Sequence, residues 1–149
     1  LVMPGFGLPE GCFTFFMWPG QPMQVLAVCD IGLIVAAIFT DPVGFVGRTL
    51  DIASDSITGE ILSEAFTECA GRPITYRRFP DATLAGNPFL ASLTRLVDAG
   101  RLSGQADLAA LRALVPGLQS FRTWLAGDGH AIFATALGTG GEWSYGTEP

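Results

Sequence analysis

The sequence contains no lysine, and histidine occurs once, at His130. Charge of either sign is scarce: charged residues make up 15% of the 149 positions, where about a quarter is usual. The basic residues are all arginine, the net charge is −6 and the pI is near 4.5, so a nucleic-acid backbone is excluded as a direct partner. Cysteine is limited to Cys12, Cys29 and Cys69, an odd number with no close pairing. That excludes a disulfide framework and points to a reducing compartment, with the cytoplasm as the expected location. One histidine and scattered cysteines also lack metal-ligand spacing, and no metal site is expected.

A long uninterrupted hydrophobic run is missing too. Hydrophobic residues reach 49% and the mean hydropathy is +0.42, yet no segment reads as a membrane span. Residues 11–29 carry no charge, nearly the length a bilayer requires, but Pro19-Gly20-Gln21-Pro22 would break a helix in its middle. The run from Ile31 to Phe39 is too short, and no basic stretch precedes an apolar core at the start, so no signal peptide is expected. An apolar surface that is not for lipid is expected to be covered by more of the fold, a partner chain or a second copy. The first residue is Leu, which is expected of a fragment or a processed product.

Against this background the chain alternates. Residues 1–24 are rich in Gly, Pro and aromatics and read as a loop with one short extended piece within Cys12–Trp18. "QVLAVC" (24–29) reads as a buried strand. A helix follows from Asp30, with Leu33, Ile34, Ala37 and Ile38 on one face, and Asp41-Pro42 stops it. "RTLDIAS" (48–54) has strand character. Thr58 then caps a helix whose stripe is Ile61, Leu62, Ala65, Phe66 and Cys69, with Ile57 and Leu62 as a hydrophobic staple and Gly71 and Pro73 at its end. "ITYRRF" (74–79) is a third strand. Beyond it the pattern is helical only: 88–100 between Pro88 and Gly100, then 105–115, then a short helix capped by Ser120. The tail 138–149 has no periodicity and is expected to be disordered. The order implies an α/β fold, about three parallel strands with crossover helices plus a small helical subdomain. Three strands make a poor sheet alone, so this reads as part of a larger one.

Three segments carry a family resemblance. "VLAVCDIGLIVAAIFTDPVGFVGRTLDIASDSIT" has an Asp-Ile-Gly helix, an Asp-Pro stop and a Gly-x-x-φ-x-φ-Ala strand; "AGRPITYRRFP" is the strand after the next helix; "GQADLAALRALVPGLQSFRTWL" gives the Leu-Arg, Pro-Gly-Leu and Trp-Leu landmarks. In this order they resemble the C-terminal half of NmrA-like proteins, atypical members of the short-chain dehydrogenase/reductase superfamily. The resemblance covers roughly residues 20–133. It implies the C-terminal part of a Rossmann-type NAD(P)-binding fold, in which residues 1–137 are the substrate- or effector-side portion and the dinucleotide-binding half is absent. The whole protein would then be a reductase of small molecules or a redox-sensing regulator. The rival reading is a cofactor-independent interaction or oligomerisation module.

The residues bearing on chemistry weigh against catalysis by this chain alone. "GFGLPEG" (Gly5, Gly7, Gly11) imitates a dinucleotide loop by its letters, but Pro9 lies inside it, no adequate strand precedes it and no helix pattern follows. No cofactor-binding residue is therefore assigned, and NAD(P) is implied for the full-length family only. The superfamily's Tyr-x-x-x-Lys pair cannot be supplied without lysine, so Tyr76 and Tyr145 lack that partner. Asp30, the one charge between Glu10 and Asp41, reads as a helix cap, since no other charged residue lies within ten positions of it. His130 with Asp128 lacks a Gly-x-Ser-x-Gly elbow and reads as a turn or surface histidine. Cys29 reads as a buried strand residue, and Arg77 and Arg78 as solvated edge positions. No catalytic residue is assigned. The densest aromatic cluster, Phe13, Phe15, Phe16, Met17 and Trp18, reads first as core packed against the missing half and second as pocket lining, since apolar pockets use the same residues. Phe13, Phe16, Met17 and Trp18 are the expected small-molecule contacts.

Overall fold

The computed structural model describes residues 6–138. The expectation of a structureless tail falls on residues outside that range, apart from Gly138, which ends a helix; Trp143 and Tyr145 lie outside it as well.

The chain is a mixed α/β fold built on a parallel strand pair. β1 (Cys12–Phe15) runs parallel to β4 (Thr75–Arg78), with Cys12 opposite Thr75 and Phe15 opposite Arg78. The long crossover between them holds a second, antiparallel pair: β2 (Met23–Val25) against β3 (Asp55–Ile57). β2 leads into α1 (Val28–Thr40), which is followed by the short α2 (Pro42–Phe45); β3 leads into α3 (Gly59–Ala70), which returns to β4. After β4 only helices follow: α4 (Asp81–Gly86), α5 (Pro88–Asp98), α6 (Leu108–Leu114), α7 (Phe121–Ala126) and α8 (His130–Gly138).

The helix boundaries follow local chemistry. Thr58 Oγ1 accepts from Ile61 N at 3.3 Å to open α3, and Gly71 ends it at φ +64°, a left-handed turn that only glycine adopts without strain. Asn87, Asp107 and Ser120 cap α5, α6 and α7 in the same way. The strands depart from expectation. β2 stops at Val25, because a short apolar run has no period that separates strand from buried helix, and "VC" belongs to the first turn of α1. The expected strand at 48–54 lies instead at 55–57. Only from Ser54, whose N–H reaches Val25 O at 2.8 Å, does this segment meet the neighbouring strand. The strands flanking α1 and α3 therefore do not form one parallel sheet.

The core is aromatic. Phe66 on α3 meets Phe13 edge-on at 4.9 Å, stacks on Phe133 of α8 at 5.2 Å and meets Phe121 of α7 at 5.8 Å. Ile57 and Leu62, the two residues of the staple, are fully buried beside it. By contrast α1 buries only Asp30 and Ile34, leaving Val28, Ile31, Leu33, Val35 and Phe39 exposed, with Val43 and Val46 beyond them. A helix apolar on nearly every side is one that expects neighbours all round.

Candidate functional site

An apolar groove of about 550 Å³ opens where β2 passes into α1. One wall is Val25, Leu26, Ala27 and Val28; the other is Phe121, Trp124 and Ile132 from α7 and α8. Cys29, Ser120 and Asp128 are its polar lining groups, together with Ser54. The walls are held at this distance by two carboxylates. Asp30 Oδ2 accepts the N–H of Gln119 at 2.8 Å, and Asp55 Oδ2 accepts the N–H of Phe121 at 2.8 Å. Both fasten the segment that starts α7, one from α1 and one from β3.

This decides the role of Asp30. It does not cap α1: Ala27 occupies the cap position, and Asp30 lies in the first turn, 1% exposed, turned toward a loop 89 residues away. A cap was the expectation because the sequence shows a carboxylate at a helix start and cannot show a partner so distant. Its position still complements the helix dipole.

Next to it, Cys29 is exposed rather than buried, since it sits on α1 and not in a strand. Its thiol lies 3.8 Å from Asp30 Oδ1 and 3.7 Å from Asp128 Oδ2, while Gln119 Nε2 donates to Sγ at 3.3 Å and to Asp128 at 3.1 Å. Desolvation of the sulfur pushes the thiol pKa up, and the negative charges of Asp30 and Asp128 push it further. The group is thus a thiol at neutral pH, a hydrogen-bond donor rather than a nucleophile. Asp128→Asn removes one of those charges, so the Cys29 pKa should fall and its alkylation by iodoacetamide at pH 8 should speed up severalfold. Mass-spectrometric rates at Cys29 would check this, and an unchanged or slower rate would refute the electrostatic cause.

The residues expected to contact a small molecule divide. Phe13 and Met17 are completely enclosed in the core, and Phe16 is half-buried against Phe15, ring centroids 4.1 Å apart. Trp18 is 53% exposed, with the Arg78 guanidinium 3.9 Å from its ring centre. Arg77 is exposed as expected, whereas Arg78 is nine-tenths buried and paired with Asp98 at 3.0 Å. The groove itself draws on segments the sequence did not mark for ligand contact. Ser120 was legible as a cap, but nothing local joins Val25–Cys29 to Trp124, Asp128 and Ile132.

His130 heads α8 and is exposed, as a surface histidine should be. The Asp128 carboxylate faces Gln119 and Cys29. Tyr76 is held by burial well above the usual phenol pKa, its hydroxyl donating to Met17 O at 2.8 Å. That is the reverse of the lowered pKa a proton-donating tyrosine in a reductase needs.

A dinucleotide does not fit the glycine segment. Gly7 and Gly11 both take positive φ, at +83° and +75°, to form a turn that closes on itself. Gly11 N donates to Leu8 O at 3.1 Å and Cys12 N to Gly7 O at 3.0 Å, while Arg72 Nη2 takes Leu8 O and Pro9 O at 3.0 and 2.9 Å. The turn leads into β1, not into a helix N-terminus, so its amides are spent on the loop rather than aimed at a pyrophosphate. Among the described residues no cluster of three or more His, Cys, Asp or Glu could hold a metal ion, and no helix is long and apolar enough to cross a membrane.

No family model matches the sequence, and no curated protein is significantly similar to it. Among solved structures the chain is similar to the triphenylmethane reductase of Citrobacter sp., an NmrA-like atypical short-chain dehydrogenase/reductase, with a TM-score of 0.56 over 91% of this chain. The chain has the fold of part of an NmrA-like reductase. Sequence identity over the match is 15%, and the chain spans about half, 49%, of that reductase's length. The NmrA-like resemblance of the three sequence segments and the backbone likeness thus agree.

Proposed function

We propose that this chain is the substrate- or effector-side portion of an NmrA-like NAD(P)-dependent reductase or redox-sensing regulator, and that the groove between α1 and α7–α8 receives a small apolar molecule. The observation that carries the reading is the coincidence of the NmrA-like fold over nearly the whole chain with an open apolar groove edged by a few polar groups, the usual make-up of a small-molecule site. NAD(P), when bound by the whole protein, would supply hydride chemistry, and residues outside this chain would hold it. What the present residues do is local. Trp124, Phe121, Ile132 and Val28 offer apolar walls; Asp128, Ser120 and Cys29 orient whatever polar group the molecule carries. The solved relative acts on triphenylmethane dyes, and a bulky aromatic molecule of that kind suits walls of this composition.

A triphenylmethane dye titrated into the chain should quench tryptophan fluorescence with saturation. Val28→Arg, a positive charge on an exposed wall residue that also repels the cationic dye, should weaken that binding at least tenfold, while NADPH alone gives no heat in calorimetry. Micromolar NADPH binding by this chain, or dye binding indifferent to Val28→Arg, would refute the reading.

A second reading has its own support. The exposed apolar side chains of α1 and α2, Val35, Phe39 and Val43 among them, and of Val46 just after α2, form a surface of the kind that associates. An interaction module would use that face without cofactor. Light scattering separates the two: a stable oligomer dispersed by Phe39→Glu, together with no dye binding, would favour the module.

A further inference from the structure

The charges around the α1 groove are one-sided, and the apolar walls do not account for that. Asp128, in the turn between α7 and α8, lines the groove and is exposed. Asp30 lies just behind the lining. The Cys29 sulfur, a lining group, is 3.8 Å from Asp30 Oδ1 and 3.7 Å from Asp128 Oδ2, so two carboxylates meet at one wall atom. Among the described residues no arginine pairs with either of them. β2 and α1 contain no basic residue. Arg112 reaches the Ser54 end of the groove, where it is taken by Asp55 at 3.8 Å and by Ser54 O at 3.0 Å. Arg122 and His130, the basic side chains of α7 and α8, line a separate pocket with Cys69, and Glu64 and Glu68 hold Arg122 there.

Asp30 sharpens the imbalance, because it is almost wholly buried. A buried charge is ordinarily paired with an opposite one. The Gln119 N–H and the start of α1 ease the carboxylate, but neither brings a full counter-charge. A negative field is thus left beside a cavity of about 550 Å³ walled by Trp124, Phe121, Ile132 and Val28. Walls of this kind screen such a field far less than water does. The Cys29 thiol already feels it: after desolvation, the two carboxylates are what hold its pKa up.

The kind of cation can be narrowed. A small metal ion demands several oxygen ligands, whereas here Asp30 is enclosed and serves Gln119, and the rest of the lining is mostly apolar. An organic cation with a spread charge sheds its water more easily, and an indole ring such as that of Trp124 attracts it through the ring face. We propose that the groove between α1 and α7–α8 selects aromatic organic cations, with Asp128 in contact with the positive group and Asp30 acting from behind Cys29. The apolar walls take the ring system, and the two carboxylates set the sign of the charge. This inference rests on reading the groove as a small-molecule site and adds the charge of its occupant.

N-Methylquinolinium, N-methyl-2-quinolone and 2-naphthoate share a flat two-ring frame and are positive, neutral and negative in turn. Their titration into the unaltered chain, followed by NMR at the Trp124 indole N–H, tests the claim without any variant. The expected result is that the quinolinium binds about tenfold more tightly than the quinolone and that the naphthoate binds most weakly. Asp128→Asn keeps an oxygen for the Gln119 side chain and Asp30→Asn keeps one for the Gln119 N–H, so each removes charge while the wall stays fastened. Each should cut the advantage of the quinolinium over the quinolone about threefold. Equal binding of those two at Trp124 would overturn the charge preference and leave the groove as a small-molecule site. An advantage undiminished in both variants would overturn the part given to the carboxylates. No shift at Trp124 from any of the three would overturn this inference and the groove reading together.

Discussion

Phe66→Ala is expected to destabilise the chain by about 3–5 kcal/mol, the range for deleting a fully enclosed aromatic side chain. Phe66 is the residue through which α3 meets β1, α7 and α8 at once, by its contacts with Phe13, Phe121 and Phe133. Removing it leaves a hole that four separate elements would have to move to close. Against a total stability of about 5–15 kcal/mol for an ordinary domain, the loss would leave little margin. Urea unfolding followed by circular dichroism measures it. Phe39→Ala is the natural control, since that side chain is 77% exposed and its loss should stay within about 0.5 kcal/mol. Comparable costs for the two variants would mean that the stacked phenylalanines are not the centre of the core.

Asp30→Ala should cost about 2–3 kcal/mol, for a different reason. The Gln119 N–H that now meets Asp30 Oδ2 at 2.8 Å would lose its acceptor, in a place where water has little access. Asp30→Asn keeps an oxygen there and should recover about half of the loss, since the hydrogen bond survives without its charge. The specific readout is amide exchange: in Asp30→Ala the Gln119 amide should exchange much faster, and the α7 amides with it, while α3 stays protected. Uniform acceleration over the whole chain would instead mean that Asp30 acts on global stability and does not fasten this one segment. The same variant should loosen the wall of the groove, so dye binding and Gln119 exchange are expected to change together.

How far the molecule could be read in advance depends on the range of the interaction concerned. The caps at Thr58 and Ser120 join residues three apart, and the left-handed stop at Gly71 concerns one residue's backbone. Chemistry confined to one turn is visible in a line of letters. So were the α/β class and the NmrA-like resemblance, because ordered landmarks survive in sequence as order. The strands were only half legible. A run such as "QVLAVC" declares that it is apolar, but whether it extends or coils depends on what lies across from it, and Ile57 opposite Met23 is decided by packing.

The sequence by itself therefore determined the cap of α3 at Thr58 and its stop at Gly71, the cap of α7 at Ser120, the aromatic-rich core material and the absence of lysine. Only the tertiary structure decided that Asp30 holds Gln119 instead of capping α1, that Phe13 and Met17 are core while Trp18 is exposed, and that Arg78 is buried with unmet N–H groups. These depend on partners about 20 to 90 positions away. The energy of such a contact is fixed by three-dimensional distance, to which separation along the chain gives no guide.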